Sequence, residues 1–146
     1  MKNESVVDNI DHRILSSLKK NSRISFADLG RIINLSPSAV RERIQKMEDT
    51  GIIKHYNLSL DYKLLGYTIE AFVLVKVFHG NLKALFMLIN KLPEIKEAHR
   101  ITGNQNVHLK VVLKDQLHLQ DLIDKLMQYG DTTTFLILSD ITPQET

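Results

Sequence analysis

The spacing of apolar residues changes once along this chain, near residue 57, and that change restricts the possible folds more than any other feature. Before it lie three short runs with helical periodicity; after it, β-branched strands alternate with two more helical runs. The first run, about Asp8 to Lys20, puts Ile10, Ile14, Leu15 and Leu18 on one face. Its acids Asp8 and Asp11 come early and Lys19 and Lys20 late, as the helix dipole favours. The second, about Ser25 to Asn34, opens on Ser25 as N-cap and turns Phe26, Leu29, Ile32 and Ile33 inward. The third runs from about Pro37 to Asp49 behind the turn Asn34-Leu35-Ser36. Ser36 is its expected N-cap, and Pro37 takes the first position, where a missing N–H costs nothing. Its inward residues are Ala39, Val40, Ile44 and Met47, and Gly51 is free to end it in a left-handed conformation.

"IIKHYNLSLD" then reads as a short extended ribbon. Helix, helix, tight turn, helix and a small β-wing make the winged helix-turn-helix layout. Behind it, "TIEAFVLVKVF" (68–78) predicts a strand and "LKALFMLINKL" (82–92) a helix. "IKEAHRIT" (95–102) and "NVHLKVVLK" (107–114) predict strands around a Gly103-Asn104 turn, "LHLQDLIDKLMQYG" (117–130) a helix, and "TTTFLILSDI" (132–141) a last strand. The order β-α-β-β-α-β is the ferredoxin-like arrangement, so the fold class is α+β. The expected boundaries are 1–56 for the helix-turn-helix domain, 57–67 for a linker and 68–146 for the ferredoxin-like domain. In the first strand Ala71, Val73, Val75 and Val77 alternate with Phe72, Leu74 and Phe78, so both faces are apolar. Helices on one side of a sheet do not require that. Either the linker shelters the second face or a second copy of the chain packs on it, and exposed apolar patches of such size are rare on monomers.

Charge separates the halves again. Residues 13–54 carry nine Lys/Arg against four acids, whereas residues 57–146 carry nine basic and ten acidic groups. A basic front and a neutral rear suit different partners. On the third helix, Ser36, Ser38, Arg41, Glu42 and Gln45 face away from the apolar stripe, flanked by Arg43 and Lys46. Arg and Gln make paired hydrogen bonds to base edges, and a helix N-terminus offers free N–H groups to a phosphate. Arg23, Arg31 and Lys54, on neighbouring elements, are candidates to grip the backbone. The plain alternative is a solvated helix face; its place behind a tight turn in the basic half favours double-stranded DNA as the partner. A single unit touches few base pairs, so two copies on a two-fold site are expected.

With both halves placed, the chain resembles the leucine-responsive/asparagine-regulator (Lrp/AsnC) family of transcription regulators over about residues 7 to 142. The landmarks are "VDNIDHRILSSLKKNSRIS", "FADLGRIINLSPSAVRERIQKMEDTGIIKHY" and "RITGNQNVHLKVV". The resemblance implies a regulatory domain that dimerises through its sheet, assembles further into tetramers or octamers, and binds a small effector, typically an amino acid. The implied effector loop is Thr102, Gly103, Asn104, Gln105 and Asn106, with Thr132, Thr133 and Thr134 as partners from a neighbouring subunit. A glycine loop exposes N–H groups suited to a carboxylate. The family often has an acid where this chain has Asn106, and an amide does not neutralise an ammonium. An amino acid, a different ligand or a plain hairpin turn all stay open for this loop.

Other functions have less in their favour. There are no cysteines, so disulfides and thiolate metal sites are excluded. His99 and His108 fall on adjacent predicted strands, but two imidazoles alone make a poor metal site. No phosphate-cradling glycine motif or nucleophile elbow is present. The chain is therefore expected to be no enzyme and to carry no cofactor or metal. "MKNESVVDNIDHR" lacks the core of a signal peptide and no apolar run approaches membrane-spanning length, so a cytoplasmic chain with no membrane partner is expected. An architectural protein that bends or wraps DNA without an effector shares all these features except a working loop.

Overall fold

The computed structural model describes residues 7–143. They divide into two compact units, one running to Ser59 and the other spanning Leu60–Pro143. No helix among the described residues is long and apolar enough to cross a membrane.

The first unit holds α1 (Asn9–Lys20), α2 (Phe26–Ile33) and α3 (Pro37–Asp49). Each helix starts at a side chain that accepts an otherwise unpaired N–H. Asp8 and Asp11 form a reciprocal capping box, Ser25 accepts from Asp28 N, and Ser36 accepts from Ala39 N. Asn34 ends α2 with φ 60°, and Arg13 Nη2 donates to the Ile32 carbonyl at 3.0 Å. The core is Ile14, Leu29, Ile33, Val40, Ile44 and Met47, drawn from all three helices. Burying each such side chain is worth roughly 1.5–3 kcal/mol before entropy is counted. Gly30 sits where the turn crosses α2: a Cβ there would lie 2.4 Å from the Leu35 carbonyl oxygen. The expected ribbon after α3 is corrected. Residues 52–61 form no strand, because a lone extended segment has no neighbour within the unit to complete a ladder.

The second unit is β1 (Ile69–Val77), α4 (Leu82–Ile89), β2 (Ile95–Arg100), β3 (Val107–Leu113), α5 (Gln116–Met127) and β4 (Gly130–Leu136). Its sheet order is β2-β3-β1-β4 with every neighbouring pair antiparallel, the ferredoxin-like topology. Ala71, Val73 and Val75 of β1 pack with Leu109 and Val111 of β3 and with Leu85, Leu122 and Leu126 of the helices. The last strand begins and ends earlier than 132–141. It pairs with β1 from Gly130, opposite Val77, to Leu136, opposite Ala71, and beyond it, among the described residues, Ile137 N–H alone reaches back, to the Glu70 carbonyl. The early start depends on Gly130, whose hypothetical Cβ would lie 2.4 Å from the Lys76 carbonyl oxygen. On the sheet face away from the helices Phe72 stands opposite Phe135 and Leu74 opposite Thr133 and His108. Phe135 there is 52% exposed.

Candidate functional site

The outward side of α3 is a ridge. Ser36, Ser38, Arg41, Glu42, Gln45 and Lys46 are all exposed, while Val40, Ile44 and Met47 are buried beneath them. Hollows run along both flanks. One of about 570 Å³ is lined by Ser38, Arg41, Glu42, Gln45 and Lys46. The other, of about 360 Å³, joins Arg41 and Gln45 to Arg23, Phe26, Glu48 and Tyr56. Arg41 and Gln45 thus stand between two grooves, the shape required of side chains that enter the major groove.

The polar groups on this ridge are unequally committed. Ser36 Oγ caps the helix at 3.2 Å from Ala39 N and lies 3.1 Å from Ser38 Oγ. Gln45 Nε2 donates to Asp49 Oδ1 at 2.9 Å, an exposed bond that a base edge can replace. Arg41, Glu42, Lys46 and Lys54 have no side-chain hydrogen bond or ion pair among the described residues. Arg23 is exposed after α1 on the wall of the smaller hollow. Arg31, by contrast, pairs with Asp28 at 2.7 Å.

Arg43, expected beside the recognition face, turns the other way. Its Nη1 donates to Asp8 Oδ2 and Asp11 Oδ1, both at 2.8 Å. The Asp11 N–H and the Arg43 guanidinium hold the Asp8 carboxyl below its usual range, and the two carboxylates push the Arg43 pKa up, Asp8 contributing most. Neither role was legible beforehand, because the partners lie more than thirty residues apart and the pairing depends on how α1 and α3 pack. Tyr56 was missed for a related reason. Its hydroxyl donates to Glu48 Oε1 at 2.8 Å and so ties the chain after α3 back to that helix. Desolvation, then Glu48, pushes the phenol up to about 12. The one available signal was an aromatic residue eight positions after an acid on a helix.

The 102–106 loop is a hairpin tip with Gly103 at φ +113° and Thr102, Gly103 and Asn104 exposed. Asn106 is largely committed to the sheet. Its N–H donates to the Val75 carbonyl at 3.1 Å, its carbonyl accepts from Ile101 N at 3.0 Å, and its Oδ1 accepts from Val77 N at 3.0 Å. The side-chain amide replaces a backbone carbonyl where β3 runs out, extending the ladder to β1. Gln105 Nε2 reaches Thr133 Oγ1 at 2.9 Å, joining the tip to β4. The three threonines do not act together: Thr132 and Thr134 lie opposite buried Val75 and Val73, whereas Thr133 faces the open side. His99 and His108 are directly paired across β2 and β3 with ring centroids 6.3 Å apart, and His99 Nε2 lies 3.6 Å from Glu97. Among the described residues no three His, Cys, Asp or Glu side chains converge on a metal-binding arrangement.

This geometry has counterparts. A winged helix-turn-helix DNA-binding family model matches residues 7–54, and an Lrp/AsnC ligand binding domain model matches residues 70–146. The HTH-type transcriptional regulator LrpC of Bacillus subtilis is 38% identical over 135 residues, covering 92% of this chain and 94% of that protein. The solved LrpC structure superposes with a TM-score of 0.89 at 37% identity, over 94% of this chain and 99% of that one. A Neisseria meningitidis transcriptional regulator solved with L-Met shares the fold, with a TM-score of 0.87 at 24% identity over 94% and 93% of the two chains. A helix-turn-helix with a protruding third helix, joined to this βαββαβ domain and matched along nearly its whole length, places the chain in the Lrp/AsnC family of transcriptional regulators.

Proposed function

We propose that this chain regulates transcription by reading duplex DNA with α3, as a pair of copies joined through the open sheet face. Arg41 and Gln45 contact base edges, Ser36 and Ser38 meet the backbone or bases at the helix N-terminus, and Glu42 and Lys46 border the contact. Arg23 and Lys54 hold phosphates. The observation that carries this reading is the ridge of exposed polar side chains on α3, with Arg41, Glu42 and Lys46 uncommitted among the described residues, between two open grooves. Pairing is supported by Phe72, Leu74 and Phe135 on a sheet face that no helix of the unit covers. The regulatory unit takes a small effector at the exposed part of the loop, Thr102 to Gln105, with Thr133 beside it. Asn106 serves the sheet instead. No catalytic role is proposed for any residue, and the chain acts in the cytoplasm, where its DNA is.

The experiment is selection of duplexes from a random pool, followed by binding to the enriched sequence and a scrambled one across a salt series. Each is repeated with a panel of amino acids. Enrichment of a two-fold related sequence, with affinity or oligomer size that shifts for some amino acid, is the expected result. Enrichment without any response to the panel would favour an architectural protein. Failure to enrich any sequence would end the reading of α3.

A further inference from the structure

Arg43 shares α3 with Arg41 but has a different environment. Two positions along a helix are about 200° of rotation, so the two guanidinium groups leave opposite flanks. The Arg43 side chain is 31% exposed and that of Asp11 12%. One Nη1 atom bridges two carboxylates, leaving the cluster with one negative charge in excess, which disfavours a phosphate beside it. Both carboxylates are themselves fixed, since each accepts a backbone N–H of the α1 capping box, at 2.9 and 3.1 Å. The apolar contacts beneath α3 are non-directional and set the rotation of the helix about its axis less sharply than a guanidinium held on two fixed oxygens.

We propose that Arg43 is a positioning residue for DNA reading: anchored on Asp8 and Asp11, it sets the rotation of α3 on α1 and so the direction in which Ser38, Arg41 and Gln45 project. This rests on the reading of α3 as the recognition helix, and it removes Arg43 from the residues that touch DNA.

The test compares Arg43→Gln, Asp11→Asn, their double variant and Asp8→Asn with the full wild-type chain. The probes are the duplex enriched by the wild type and a scrambled duplex, over a salt series. Arg43→Gln and Asp11→Asn should each lower the ratio of enriched to scrambled affinity on the order of tenfold, and the double variant no further than the worse single. The salt slope should stay as in the wild type. A slope reduced by about one, with equal losses on both duplexes and a silent Asp11→Asn, would make Arg43 a phosphate contact and overturn the proposal. An unchanged ratio in folded variants would overturn it too, leaving the bridge a stabilising ion pair only. If the core variants do not fold, Asp8→Asn removes one bond from an exposed partner, and a smaller loss in the same ratio is then required. A wild-type chain that enriches no sequence instead sinks the reading of α3 itself, and the proposal with it.

Discussion

Arg41 and Asn106 illustrate how much a residue's role depends on what its polar atoms already bind. Arg41 has no partner among the described residues, so its five donors are available to a base edge. Arg41→Ala should cost on the order of 1–3 kcal/mol on the enriched duplex and relax its preference, read by competition binding. Asn106 is the opposite case, with its Oδ1 held by Val77 N–H at 3.0 Å. Asn106→Ala should lower stability by about 1–2 kcal/mol in urea unfolding, because a half-buried N–H loses its acceptor. Asn106→Asp keeps an acceptor and should lose less; equal losses would mean that the bond to Val77 contributes little. The caps Ser25 and Ser36 were legible in the sequence because their bonds span three residues. The tasks of Asn106 and Arg43 were not, since a strand and a helix distant in sequence supply the partners.

At the level of elements, most of the core stripes of α1 to α3 and the order of the sheet strands follow from periodicity, though Phe26 and Ile32, expected inward, are 42% and 55% exposed. The ends of β4 and the irregular chain after α3 do not, because a strand exists only where another strand is there to pair with it. That irregular chain is held by Tyr56, whose pKa is raised from its ordinary value near 10 to about 12 by desolvation and by Glu48. A raised pKa means that the folded state keeps a proton the unfolded state has lost. This contribution is therefore complete below about pH 10 and disappears as the pH rises towards 12. Unfolding titrations of the wild type should show that decline, and Tyr56→Phe should flatten it. A wild-type decline that survives the substitution would assign it to other groups.

The proposed pairing of two copies supplies two-fold symmetry for DNA and covers the open sheet face. Phe135 is 52% exposed beside half-buried Phe72. Phe135→Asp should shift the chain towards the monomer in sedimentation and weaken binding to the two-fold duplex more than to a half-site. A variant that remains fully associated would place the interface elsewhere. The apolar doubling of β1 was visible as a string of letters, yet the same letters fit a strand sheltered by its own linker.

The fold class, the three-helix unit, the βαββαβ order and the outward polar face of α3 were all determined by the sequence, because periodicity, caps and turn residues act over a few positions. Tertiary structure alone decided that Arg43 serves α1, that Asn106 completes a strand ladder, and that Gly130 admits backbone at a distance a Cβ would forbid. Each of these is a relation between segments far apart in the chain. Such relations exist only after burial of the two cores has brought those segments together.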